Sequence, residues 1–188
     1  MEMMKKVFIC SDTVTGIFSA IYDAWKLMPQ PGEAGIALRG RVEQELFCDY
    51  IEVEENAKKA AAVEKLIKKH LGNEAYGNLY QAMLSYDERK GDAVLGTMLE
   101  AKRIPDSRKI MNHLAAPCVR KVFELSRAVG NEAHFHKEFI RFRELENGVL
   151  FAKINPKAQV LVCIADHFYN RLPLENWLIY DETHKTAL

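Results

Sequence analysis

The sequence has few cysteines, and no two of them are close together. The four stand singly in a chain of 188 residues, at Cys10, Cys48, Cys118 and Cys163. Secreted disulfide frameworks and zinc sites normally use closely spaced cysteines, and a radical-SAM enzyme needs a tight group of them to hold its iron–sulfur cluster. The spacing argues against a disulfide framework and a zinc site, and it excludes a radical-SAM cluster. We therefore expect four reduced thiols.

Long hydrophobic runs and an excess of one charge are also missing. The longest early apolar run, Val7–Cys10, is far too short for a signal-peptide core or a membrane span, so we expect a cytoplasmic protein without a membrane partner. The 26 basic residues balance the 26 acidic ones, which removes any global attraction to nucleic acid. Residues 101–145, however, hold ten bases and five acids. This segment either binds a polyanion locally or is a solvated face.

Cofactor motifs are missing as well. Residues 72–77 have the glycine spacing of a phosphate loop but lack the lysine and hydroxyl residues that reach the phosphates. His134 and His136 fall in a predicted helix. Because they are two residues apart, their side chains point about 200° apart, too far to chelate one metal. We therefore expect no cofactor and no bound metal. A metal site joining His134, His167 and a carboxylate through the fold is the minor alternative.

The sequence does contain strand-like segments at both ends and a helical middle. Runs of β-branched and aromatic residues predict strands over 5–11, 45–53 and 176–181. Helical spacing of apolar residues predicts helices over 14–28, 54–71, 73–86, 92–103 and 160–171, a short one after Pro105, and one from Pro117 to about Lys137. Asp12 or Thr13 is expected to cap the first of these helices.

A hairpin and the strand after it define the predicted fold. Asn147-Gly148 between two β-rich runs is the strongest short-range hairpin signal that a sequence offers. We predict a single α+β domain over residues 1–188, with a helical block over about 54–137 and the hairpin and last strand over about 138–188. The strands of both ends are expected to share one largely antiparallel sheet.

Arginines and aromatic residues surround this hairpin. Arg141 and Arg143 alternate with apolar residues, so on a strand both guanidinium groups would leave the same face. Together with Arg171 they could hold phosphate or carboxylate groups by bidentate hydrogen bonds, while Trp177 or Phe168 stacks on an exposed base. The alternative is that the arginines pair with nearby glutamates and solvate the sheet.

Histidines near carboxylates suggest a second kind of site. His134 or His167 could act as a general acid/base, with Glu132 or Asp166 orienting its ring. A hydrogen-bonded structural histidine is the alternative for each of them. The sequence leaves open whether this region binds a ligand or catalyses a reaction on it.

Short motifs in this region resemble those of a bacterial family of DNA metabolism and repair proteins, a domain of unknown function. Its members occur beside a radical-SAM DNA-modification protein or fused to uracil-DNA glycosylase-like domains. The matching motifs are Glu132-Ala-His134, Phe139-x-Arg141-Phe142, Ala152-x-Ile154-x-Pro156, His167-Phe168 with Arg171, and Trp177-x-Ile179-x-Asp181. The resemblance implies a DNA-related context and a radical-SAM partner, and it assigns no catalytic residue.

Three functions are compatible with these observations. The first is a DNA repair or modification accessory that binds single-stranded or damaged DNA through the basic and aromatic residues. The second is an enzyme acting on a nucleotide or phosphorylated small molecule through His134 or His167. The third is an adaptor that docks onto the radical-SAM partner through apolar positions of the helical block: Leu79, Met83, Leu95, Met98 and Leu99. We favour the first, combined with the third.

Overall fold

The structure is a computed structural model that describes residues 4–27, 29–42 and 46–188. Its helices and strands make it an α+β protein. The chain separates into two compact units, one comprising residues up to 83 together with 87–126, and the other comprising 84–86 together with 127–188. It is therefore not clearly the single domain that the sequence suggested.

The first unit contains a three-stranded parallel sheet. Its strands are β1 (Lys5–Cys10), β2 (Ala34–Leu38) and β3 (Cys48–Glu52), with β1 in the centre. Phe8 of β1 lies in register with Ile36 and Ile51, and this face joins the hydrophobic core. The predicted strands over 5–11 and 45–53 correspond to β1 and β3, although Glu45 lies outside the described residues.

Helices cover this sheet and complete the first unit. They are α1 (Val14–Lys26), α2 (Ala57–His70), α3 (Asn73–Met83), α4 (Lys90–Ala101), a 3-10 helix (Ser107–Asn112) and the first part of α5 (Pro117–Phe139). Each predicted helix of this region is confirmed with shifted ends, while Met28, the predicted end of the first, lies outside the described residues. The apolar residues of the predicted adaptor surface are all buried here: Leu79, Met83, Leu95, Met98 and Leu99. They form core, so this surface is not available for docking.

A hydrogen-bonded cluster holds the loop between β1 and α1. The Glu55 carboxylate accepts hydrogen bonds from the hydroxyls of Ser11 and Thr13, and these bonds lower the pKa of Glu55. Thr13 is also the N-cap of α1, because its hydroxyl accepts a hydrogen bond of 2.9 Å from the Gly16 backbone N–H. The loop therefore packs tightly against the first turn of the helix.

The second unit contains a four-stranded mixed sheet in addition to the rest of α5. The strands are β4 (Arg143–Glu144), β5 (Leu150–Ile154), β6 (Trp177–Asp181) and β7 (Thr186–Ala187), in that order across the sheet. The predicted hairpin is confirmed: β4 and β5 pair antiparallel, and Gly148 has the positive φ of 78° that such a turn requires. The helix α6 (Leu161–Arg171) connects β5 to β6, which pair parallel.

The prediction of one largely antiparallel sheet is wrong. The strands of the two chain ends belong to separate sheets, one parallel and one mixed. A helix between consecutive strands returns the chain to the edge where it started, so α1 and α6 each make the following strand parallel to the preceding one. The sequence prediction also missed β2, because Ala34–Leu38 has a single β-branched residue and follows a Pro-Gly loop.

Within the described ranges, no helix combines the length and apolar character that crossing a bilayer would require.

Candidate functional site

One face of the C-terminal sheet combines cationic and aromatic side chains. Strand register places Arg143 beside Phe151, Phe151 beside Leu178, and Lys153 beside Tyr180. In-register neighbours and alternate residues of a strand share a face, so these five residues line one surface, which we call the outer face. Arg143, Lys153 and Leu178 are exposed, and the two aromatic residues are half-buried. The outer face therefore offers both charge and ring surface to solvent.

The two cations of the outer face have different surroundings. The Arg143 guanidinium carbon lies 5.1 Å from the centre of the Phe151 ring, and Arg143 forms no ion pair among the described residues. The Lys153 ammonium lies 2.6 Å from the Glu182 carboxylate, and this hydrogen bond lowers the pKa of Glu182. Arg143 is thus the freer of the two to meet an anionic ligand.

The opposite face of the sheet holds the predicted aromatic residues. Phe168 of α6 is only 3% exposed, and its ring centre lies 6.3 Å from that of Trp177 and 5.5 Å from that of Phe142. The structure therefore brings Phe168 and Trp177 together, but on the side of the sheet away from Arg143. The Phe168 ring is used in packing α6, whereas Trp177 is half-buried.

The other two predicted arginines lie outside the strands. Arg141 stands between the end of α5 and the start of β4, and Arg171 is the last residue of α6. Both are exposed, and neither forms an ion pair with any carboxylate of the residues that the structure describes. The alternative in which Glu132, Glu144 or Glu146 neutralises the hairpin arginines is therefore not seen. Their contact with phosphate stays a prediction.

Glu132 and His134 occupy different environments near the end of α5. The Glu132 carboxylate accepts hydrogen bonds of 2.8 and 2.9 Å from the backbone N–H groups of Lys157 and Ala158. Both of its oxygens thus anchor the segment after β5. The His134 side chain is 72% exposed, and its Nε2 atom lies 3.0 Å from Glu138, one helical turn further on.

The second predicted histidine, His167, lies on α6. Its ring meets the Phe168 ring edge-on at 4.9 Å. The Nε2 atom is buried and has no hydrogen-bond partner among the described residues. Its sequence neighbour Asp166 is exposed. No carboxylate is seen to orient this ring, and an acid/base role for His167 stays a prediction.

Sequence reasoning missed a histidine that a buried carboxylate does orient. Asp181, 1% exposed, accepts a hydrogen bond from the His184 ring, with 2.6 Å between Oδ2 and Nδ1. Its other oxygen accepts hydrogen bonds from the backbone N–H groups of Thr183 and His184. Nδ1 is thereby occupied, which leaves Nε2 as the free nitrogen of the ring. The Asp-x-x-His spacing after a predicted strand was the available signal.

A third histidine lies near the same carboxylate. Burial lowers the pKa of His136, while the negative charges of Glu132 and Asp181 act in the opposite direction. The net effect favours a neutral imidazole near pH 7. No group of three or more potential metal ligands occurs among residues 4–27, 29–42 and 46–188.

Comparison with known proteins identifies one family. The model of a family described as a domain of unknown function, DUF4130, matches residues 88–188, just over half of the chain. This range covers roughly the last third of the first unit and nearly all of the second, including every predicted site residue. A search of curated proteins finds no match.

Proposed function

The chain belongs to the DUF4130 family of domains of unknown function, and we propose that it is a DNA repair or modification accessory protein. It binds single-stranded nucleic acid or a nucleotide through the outer face. The observation that carries this proposal is the placement of Arg143 and Lys153 among Phe151, Tyr180 and Leu178 on one exposed surface. Aromatic side chains on a sheet surface, next to cations, suit the stacking of unpaired bases beside a phosphate backbone.

Relative energies indicate that Arg143 can leave the Phe151 ring when a ligand arrives. An exposed cation–π contact contributes about 0.5–1 kcal/mol. Stacking of a base on an aromatic side chain contributes about 1–3 kcal/mol. A base on Phe151, with Arg143 moved to the adjacent phosphate, is therefore favoured over the internal contact.

The ion pair between Lys153 and Glu182 also opposes ligand binding only weakly. Both partners are partly exposed, with side-chain exposures of 51% for Lys153 and 34% for Glu182. Exposed pairs of this kind stabilise a protein only weakly, and salt weakens them further. A phosphate group can therefore replace Glu182 as the partner of Lys153 at a small cost in free energy. Arg141 and Arg171, both exposed, are proposed as further phosphate contacts.

The radical-SAM partner remains part of the proposal because of the sequence resemblance. The second unit offers an apolar surface of its own near the end of α5, where Phe135 and Phe139 are 55% and 59% exposed. Their rings lie against each other, with centres 4.8 Å apart. Exposed aromatic pairs of this kind are common at protein interfaces. Such a partner would supply the chemistry, and this chain the contact with DNA.

Substitution of Arg143 and Phe151 tests the outer face. We expect the full chain to bind a fluorescently labelled oligothymidylate at low salt, and Arg143→Gln to make the slope of log K against log salt shallower by about 0.7, the value for one lost phosphate contact. Phe151→Ala should weaken binding about tenfold without changing this slope, because it removes one stacked base. Fluorescence anisotropy over a series of salt concentrations measures both effects.

Arg108→Gln is the matched control for this experiment. Arg108 is exposed in the first unit and forms no ion pair with the residues described, so the variant removes the same charge elsewhere. It should bind like the unaltered protein. Undetectable binding at low salt, or binding that survives the combined Arg143→Gln and Phe151→Ala changes, would refute the proposal.

A second candidate function is an enzyme that acts on a nucleotide or phosphorylated small molecule. The observation in its favour is the Asp181–His184 pair, in which a buried carboxylate orients an imidazole as in many general bases. If this activity exists, His184→Gln should lower the release of nitrophenolate from bis-p-nitrophenyl phosphate at least about 100-fold. His113→Gln, which changes an exposed histidine of the first unit, serves as the control. No release by the unaltered protein rules out phosphodiester hydrolysis by this pair.

A further inference from the structure

An open cavity of about 420 Å³ lies within the first unit, at the ends of three helices. Trp25 comes from the last turn of α1, Leu66 and His70 from α2, and Met98 with Ala101 from α4. Lys102, Ile104, Pro105 and Ser107 close the remaining side. A volume in this range suits a small molecule rather than a water cluster, because ligand pockets typically measure about 300–1,000 Å³.

The local structure explains why this cavity stays open. Leu66 and His70 are four residues apart on α2, so they share one side of the helix. The Ser107 hydroxyl donates a hydrogen bond of 2.8 Å to the backbone carbonyl of His70, which ties the segment after α4 to the end of α2. The segment is thereby held at the rim, and Met98 at 1% exposure forms the floor.

The walls are apolar, and the formal charge at the rim is positive. The Lys102 ammonium lies 4.8 Å from the centre of the Trp25 indole ring. His70 is the other titratable residue of the lining, and among the described residues no carboxylate lines the cavity. A smaller cavity of about 150 Å³ shares Trp25, Leu66 and Met98 and adds Lys26, again without a carboxylate.

The helix ends work against an anionic ligand. The last turn of a helix carries about half a negative charge, which disfavours anions, but the effect is screened and falls off within that turn. The ammonium of Lys102 carries a full positive charge beside the indole ring. A single anionic group is therefore accommodated only in direct contact with this ammonium, whereas a polyphosphate would meet three carbonyl-rich helix ends with too few cations.

We propose that this cavity binds a small aromatic carboxylate. Its ring system lies between Trp25, Leu66 and Met98, and its carboxylate pairs with Lys102 beside the indole. The inference concerns the first unit alone. It does not depend on the function proposed for the outer face.

Calorimetric titration of the full chain with 2-naphthoate tests the proposal. We expect binding, and we expect 2-naphthamide, which has the same shape without the charge, to bind about tenfold more weakly. Lys102→Gln should weaken the binding of naphthoate by a similar factor and leave that of the amide nearly unchanged. Lys65→Gln, which removes an exposed lysine of α2 outside the cavity, should change neither.

A variant that fills the cavity provides an independent test of the proposal. Leu66→Trp adds bulk from a half-buried position and should abolish the binding of both compounds, with folding checked by circular dichroism. The proposal is overturned if naphthoate does not bind at millimolar concentration, if the amide binds equally well, or if Lys102→Gln has no effect. Binding that persists in a folded Leu66→Trp variant would also overturn it.

Discussion

Replacing Asp181 by alanine is expected to lower the free energy of unfolding of the second unit by about 3 kcal/mol. The buried carboxylate accepts hydrogen bonds from the backbone N–H groups of Thr183 and His184 and from the His184 ring. Alanine would leave these donors without their acceptor; Asp181 itself is 1% exposed, and the bonds it accepts are partly buried. Unmade hydrogen bonds of this kind are costly because the donors have lost part of their hydration.

Urea unfolding measures this effect when each unit is observed separately. Trp25 belongs to the first unit and Trp177 to the second, so fluorescence in a Trp25→Phe background follows the second unit alone. Asp181→Asn is the matched control, because its amide oxygen can still accept the two backbone bonds while the negative charge beside His184 is lost. We expect it to cost about 1 kcal/mol, the worth of one hydrogen bond. Equal losses for the two variants would contradict this account.

Gly16→Ala should destabilise the first unit by about 2 kcal/mol, although alanine is the better helix former. A Cβ atom at this position would overlap the Ser11 hydroxyl oxygen and lie 2.7 Å from the Ser11 backbone oxygen. The backbone contact cannot be relieved by rotating a side chain. Moving Ser11 would also disturb its hydrogen bond to Glu55.

Gly77→Ala is the internal comparison for this prediction. Gly77 lies in α3, is exposed, and a methyl group added there would meet no atom within 4 Å. The same substitution should therefore stabilise the protein at this position, by about 0.5–1 kcal/mol. Urea unfolding followed by Trp25 fluorescence in a Trp177→Phe background gives both values. The account fails if Gly16→Ala leaves stability unchanged or raises it.

Local signals in the sequence were sufficient to predict most of the helices and strands. The Asn147-Gly148 turn and the N-cap at Thr13 depend on residues adjacent in the chain, so their physics is present in the sequence itself. Strand pairing depends on distant segments. The antiparallel prediction failed because the crossovers through α1 and α6 make each following strand parallel to the preceding one. The strand β2 was missed because its pairing with β1 compensates for a weak strand propensity.

In the candidate site, too, some features follow from local sequence and others only from contacts between distant segments. Alternation predicted that Arg141 and Arg143 would leave one face of a strand; Arg143 does so, but Arg141 lies before β4 begins. Phe151, Leu178 and Tyr180 became neighbours of Arg143 only through register. Phe168 and Trp177 were grouped with the arginines because they are close in sequence. The pleat places Trp177 on the other face, where it packs near Phe168.

The sequence by itself determined most of the secondary structure elements, the hairpin and the absence of clustered cysteines, because each depends on residue types at short spacing. Only the tertiary structure decided which charged and aromatic groups meet, because contacts between distant segments arise from sheet register and helix packing. The Asp181–His184 bond lies between these cases: its partners are three residues apart, yet the burial that gives the carboxylate its role comes from the packing of the sheet.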